Sequence, residues 1–119
     1  MAKAKNNNTR IKNEIRYHSV KVKTRNGKII LINHPAYVFL EKENIYIYVT
    51  ITHSKKIKNY LIVKLSKNPN PNDVKDSFWV AEIREDNKDN FGKRHNNWKI
   101  EEDDIKAIFD FYKKHKKKR

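Results

Sequence analysis

Thr52, His53, Ser54, Lys55 and Lys56 stand in one unbroken run, with Lys58 two places further on. Hydroxyls that donate, an imidazole with an unperturbed pKa of about 6.5 and ammonium groups that hold anions are tools for acid–base work on a phosphate-bearing substrate. A second imidazole, His34, precedes Pro35. Each group also has a plainer reading. His34 fits a turn before proline, His53 an exposed loop, and Thr52 ordinary strand preference. Other chemistries are poorly supplied. With no cysteine there is no thiolate nucleophile, thiolate metal site or disulfide framework. Two glycines cannot make a glycine-rich phosphate loop. The five histidines (18, 34, 53, 95 and 115) are scattered without ligand spacing, and Glu101–Asp104 reads as a helix start. No metal or cofactor is therefore expected.

The elements that must position these groups are short. Residues 15–24 alternate around Val20 and Val22 as a strand, and Asn26-Gly27 is a strong hairpin signal. "IILIN" returns as a second strand, and "HPAYVFL" reads as a third, with Pro35 at its start or on an edge. "IYIYVTIT" is the clearest strand. Ile45, Ile47, Val49 and Ile51 share one face, expected to meet the core. Tyr46, Tyr48, Thr50 and Thr52 share the other. "YLIVKL" and "SFWVAEIRE" are further strands, separated by the Pro/Asn-rich "SKNPNPND". "DNKDNFGKRHNN" reads as a long polar loop. Ile105, Ile108, Phe109 and Tyr112 mark one face of a C-terminal helix. The expectation is a mainly β protein of about six strands with one terminal helix, arranged as a small, strongly bent sheet or barrel.

The formal net charge is +14. Residues 1–12 hold four basic residues and 113–119 hold six, leaving the single domain 13–112 with 18 basic against 14 acidic residues. This divides the chain into a disordered basic arm (1–12), the domain (13–112) and a basic tail (113–119). Such a balance favours a polyanion, with nucleic acid ahead of a membrane surface. Tyr46 and Tyr48 are candidates to stack on bases, or else to pack under the helix or at a homodimer interface. Lys93 and Arg94 lie between Phe91 and Trp98, and Lys116, Lys117 and Lys118 in the tail; all five are candidate nucleic-acid contacts. The N-terminus lacks the apolar stretch of a signal peptide, and no apolar run is long enough for a membrane helix, so a cytoplasmic location is expected.

His34-Pro35-Ala36-Tyr37-Val38-Phe39, Val49 to Lys55, the apolar Tyr60–Leu65 and Trp79-Val80-Ala81-Glu82, followed by a helix, resemble the MazF/PemK family of toxin endoribonucleases over about residues 16–112. The resemblance implies a compact SH3-like barrel, often dimeric, that cleaves single-stranded RNA without a metal and is held in check by a protein antitoxin. It places Thr52 at the family's working hydroxyl, with Ser54 nearby. It also brings together the two strand ends that His34 and His53 flank; if both face one cleft they can form an acid/base pair, with Lys55, Lys56 or Lys58 to hold the RNA backbone. The family has Arg where this chain has His34. RNA is accordingly expected ahead of DNA. A non-catalytic nucleic-acid-binding barrel and a protein-binding inhibitor module of a mobile element are the alternatives.

Overall fold

The computed structural model describes residues 9–54 and 60–117. Among these, seven strands and one long helix follow in the order β1 (Thr9–Lys23), β2 (Ile29–Lys42), β3 (Ile45–Thr52), β4 (Ile62–Lys64), β5 (Phe78–Val80), β6 (Arg84–Asn87), β7 (Phe91–Arg94) and α1 (Glu102–Lys117). A single 3₁₀ turn, Lys88–Asn90, links β6 to β7. The strands form one antiparallel sheet in the order β4-β5-β3-β2-β1-β7, and β6 pairs with the first half of β3. The sheet is open. β6 and β7 cross from β3 to β1 without pairing with each other, so the closed barrel expected from sequence does not form among the described residues.

Several expected boundaries shift. Residues 9–12, read as part of the arm, belong to β1, where Thr9 pairs with Lys42 and Arg10 with Glu41. "IILIN" and "HPAYVFL" are one continuous strand. Pro35 sits one residue past the last β2–β3 pair, Ala36 with Thr50, so its missing N–H falls where β2 becomes an edge. "SFWVAEIRE" splits into β5 and β6, and the polar "loop" after it contains β7.

Two apolar clusters sandwich the sheet's centre. On one face Tyr37, Phe39, Ile47, Val49 and Ile51 pack with Ile108 of α1, and Ile105, Phe109 and Tyr112 lie against them. This is the helix face read from the sequence. Asp104, in the first turn of α1, is buried and accepts hydrogen bonds from the Ser66 N–H at 2.9 Å and the Ser66 hydroxyl at 3.1 Å, tying the helix start to the end of β4. On the other face Ala36, Val38, Tyr46 and Tyr48 are covered by Phe91 of β7. The centre of β3 is thus buried on both sides, as an inner strand should be.

Beyond Ser19 the β1–β2 hairpin has no further pairing partner among the described residues and continues as a two-stranded ribbon. Its turn is the one the sequence signalled. The Gly27 N–H donates to the Thr24 carbonyl at 2.9 Å, and the Thr24 N–H to the Lys28 carbonyl at 2.8 Å. Gly27 has φ +81°, so the loop Arg25-Asn26-Gly27 ends in a left-handed residue of the kind that closes three-residue hairpins. Asn26 does not take a positive φ.

Candidate nucleic-acid interface

The ribbon is exposed and basic. From Ile15 to Leu40 the sequence has no aspartate or glutamate. Lys21, Lys23, Arg25 and Lys28 are placed along this stretch, at or near the surface. Antiparallel partners share a face. The pairs Ser19–Asn33, Lys21–Leu31 and Lys23–Ile29 therefore lie on one face, and Val20–Ile32 and Val22–Ile30 on the other. Leu31 is 62% exposed and Ile29 67%. The Ser19 hydroxyl donates to the Asn33 side-chain carbonyl.

Around Glu14 and Glu41, by contrast, the cations have acidic partners. Buried Glu14 is flanked by Lys12 at 3.7 Å, Arg16 at 2.9 Å and Arg94 at 3.3 Å. Buried Glu41 meets Arg10 and Lys12, each at 3.6 Å, and accepts a 2.7 Å hydrogen bond from Lys88. The Lys88 bond, with Lys12 and Arg10 beside it, holds the Glu41 carboxyl below its ordinary range despite burial. None of the four ribbon cations has an ion pair among the described residues. Asp86 and Asp89 line a groove beside Ser19, Val20 and Lys21 at the ribbon's root, so the positive field is strongest toward the tip.

The root is anchored by a polar chain that runs from buried Tyr48 and His18 to half-buried Asp86. His18 Nε2 lies 2.6 Å from Asp86 Oδ2, and its Nδ1 lies 3.2 Å from the Tyr48 hydroxyl. A carboxylate only accepts, so Nε2 carries a proton toward Asp86. Burial pushes the Tyr48 pKa up to about 12, so Tyr48 keeps its proton and can donate to Nδ1. Burial works against the charge on Asp86. The His18 bond, the Asn90 amide at 2.9 Å and the Asn87 N–H at 2.7 Å outweigh it and hold that carboxyl below its ordinary value.

The residues singled out in the sequence fare differently. Tyr46 and Tyr48, read as base-stacking candidates, are 6% and 1% exposed and pack edge-on to Phe91. Their face of β3 is an inner one, so their rings are not available to bases. His34 is exposed on β2, opposite His18 in register. His53 is exposed; its Nδ1 lies 3.0 Å from the Asp76 carbonyl and its Nε2 3.6 Å from Asp73. No hydrogen bond, ion pair or ring contact joins His34 to His53. After Thr50 strand β3 leaves β2, and Thr52 pairs with Phe78 of β5 instead. The Thr52 hydroxyl oxygen accepts from the Ser54 N–H at 3.0 Å, a local turn bond. Arg94 is committed to Glu14 and to Asn96, whereas Lys93 is exposed. Lys55, Lys56, Lys58 and Lys118 lie outside the described residues. Lys116 and Lys117 fall in the last turn of α1, with side chains outside that set.

Sequence reading gave the hairpin but missed its concentration of charge. The signal was present as the acid-free interval from residue 15 to residue 40, hidden because the domain's charges were counted as one sum. Among the described residues no group of three or more His, Cys, Asp or Glu side chains is placed to hold a metal ion, and no helix is long and apolar enough to cross a membrane. The fold and site define an open, mainly antiparallel β-sheet with a terminal helix and a projecting basic ribbon. Compared with protein-family models, with curated proteins and with solved structures, the chain has no match.

Proposed function

We propose that the chain binds nucleic acid through the β1–β2 ribbon. The observation that carries this reading is the contrast in charge compensation. Arg10, Lys12, Arg16, Lys88 and Arg94 are paired with Glu14 or Glu41, while Lys21, Lys23, Arg25 and Lys28 project together with no acid between residues 15 and 40. Leaving four cations unpaired on one thin element is unfavourable for the isolated fold through their mutual repulsion, and a polyanion relieves it. Each phosphate they meet releases condensed counterions, which supplies affinity independent of sequence. The tail lysines add charge of the same sign.

RNA cleavage, which the resemblance to the MazF/PemK family implies, asks for His34 and His53 at one phosphate. The hold of Asp73 and Asp76 on His53, and the absence of any contact between the two rings, favour binding over cleavage. The open sheet, with β6 and β7 crossing over Tyr46 and Tyr48, is the nearest approach to that family's small barrel.

The test is a salt series of binding titrations with labelled RNA and DNA, on the native chain and on a variant with Lys21, Lys23, Arg25 and Lys28 all changed to Gln. The native chain should bind with a steep salt dependence. The variant's slope should fall by about 0.9 for each phosphate that its ribbon no longer neutralises. An unchanged slope, or no binding by the native chain, would sink the reading. Intact RNA after incubation in EDTA separates binding from turnover.

A further inference from the structure

Resting on the binding reading above, we infer that the ribbon's target is the major groove of B-form double-stranded DNA, with the face bearing Lys21, Lys23, Ile29 and Leu31 turned toward the base edges.

Three features carry this. First, residues 19–33 contain no Phe, Tyr, Trp or His. Proteins that hold single strands do so by stacking bases on rings, and the ribbon has none to offer. The ring nearest on the same face, Tyr17, is engaged at the root, 4.7 Å from the His95 ring and 6.2 Å from that of Trp98. Second, the shape is right. A two-stranded antiparallel ribbon fits the B-form major groove, about 12 Å wide, whereas the A-form major groove of duplex RNA is too deep and narrow for side chains to read. The five paired positions from Ser19 to Lys23 reach ~17 Å at the usual strand rise, or about half a helical turn of DNA.

Third, the two faces differ in chemistry. One carries two lysines beside two exposed aliphatic chains, with Asn33 at its root. Lysine donates to guanine O6 and N7, asparagine pairs with adenine, and aliphatic carbon meets the thymine methyl, all in the major groove. Arg25 and Lys28, at the turn, are placed for the phosphates beside it. The opposite face, Val20, Val22, Ile30 and Ile32, carries no charge and continues from the Ala36–Val38 cluster, which suits a face turned away from the phosphates.

The experiment uses the full chain. Affinity is measured at one salt concentration for a DNA duplex, for its separate strands, for an RNA duplex of the same sequence and for the DNA duplex with every thymine replaced by uracil. The DNA duplex should bind on the order of tenfold more tightly than single strands or duplex RNA, and removing the thymine methyls should weaken it several-fold. The uracil duplex needs no protein variant, so its result does not depend on an altered chain folding. Equal binding to single strands or to duplex RNA would overturn the major-groove assignment while leaving the binding reading standing. So would a uracil duplex bound as well as the thymine one. No binding to any of the four would remove the binding reading itself.

Discussion

His18, at the root of the ribbon, lies 2.6 Å from Asp86 on β6, although 68 positions separate them in the chain. This contact joins the sheet to the segment that crosses over it. His18 is only 6% exposed, and its ring lies 4.6 Å from Phe91 and 4.7 Å from Tyr48. The ribbon therefore stands on a fixed base rather than on a hinge.

Asp86→Asn should destabilise the fold in a pH-dependent way. The Asp86 carboxyl has a lower pKa in the folded chain than its ordinary value of 3.8. The folded state therefore favours the charged form. Its contribution is complete above the ordinary carboxylate range and disappears as pH falls through the lowered value. At neutral pH the loss should be about 1 kcal/mol, below the ~1.5–3 kcal/mol of a buried hydrogen bond to a charged group because the Asp86 side chain is 32% exposed. Denaturant unfolding of both proteins from about pH 6 to about pH 2 should show the gap closing in acid. A gap that stays constant would mean that Asp86 acts by packing alone.

Tyr46 and Tyr48 make a second case. Because they fill the cluster under Phe91, changing either to Ala should cost about 3–5 kcal/mol. Tyr48→Phe keeps the ring and removes only the hydroxyl facing His18 Nδ1, for a cost of about 1–2 kcal/mol. Thermal unfolding reads both. Once corrected for the unfolded fraction, nucleic-acid affinity should be unchanged in Tyr48→Phe.

Much of the fold was legible because local signals and long-range packing agree. The Asn26-Gly27 turn and the Ile105, Ile108, Phe109 and Tyr112 stripe are short-range patterns, and both elements form. The period of two in β3 correctly separated Ile47, Val49 and Ile51 from Tyr46 and Tyr48, but periodicity cannot say what lies over each face. The cover on the tyrosine face is β6–β7, a polar stretch whose one large apolar residue is Phe91. Past Glu85, nothing in its own pattern marks it as strand. The burial of His18 was hidden for the same reason, since its partner Asp86 lies in that stretch.

Gly27→Ala should loosen the ribbon tip without disturbing the sheet. A Cβ there meets nothing within 4 Å, so the cost is that of the backbone at φ +81°, about 1 kcal/mol. Amide exchange should quicken at Thr24, whose N–H bonds to the Lys28 carbonyl, and not at Val49 in the centre of β3.

Arg94 and Lys23 both present charge to solvent but should behave in opposite ways. Arg94 sits 3.3 Å from buried Glu14 and hydrogen-bonds Asn96 at 3.0 Å. Arg94→Gln leaves Glu14 with Arg16 at 2.9 Å and Lys12 at 3.7 Å, so the stability loss should be only about 0.5–1 kcal/mol. Lys23 has no such partner among the described residues, and Lys23→Gln should stay within about 0.5 kcal/mol of the native chain. In binding the order reverses. A cation already neutralised by a carboxylate releases few counterions, whereas a free one releases its share. Lys23→Gln should therefore lower the slope of log affinity against log salt by about 0.9, and Arg94→Gln should leave it in place. Titrations across a salt series, with unfolding curves on the same samples, read both quantities. If Arg94→Gln flattens the slope as much as Lys23→Gln does, the contact surface extends across β7 and the ribbon is not its centre.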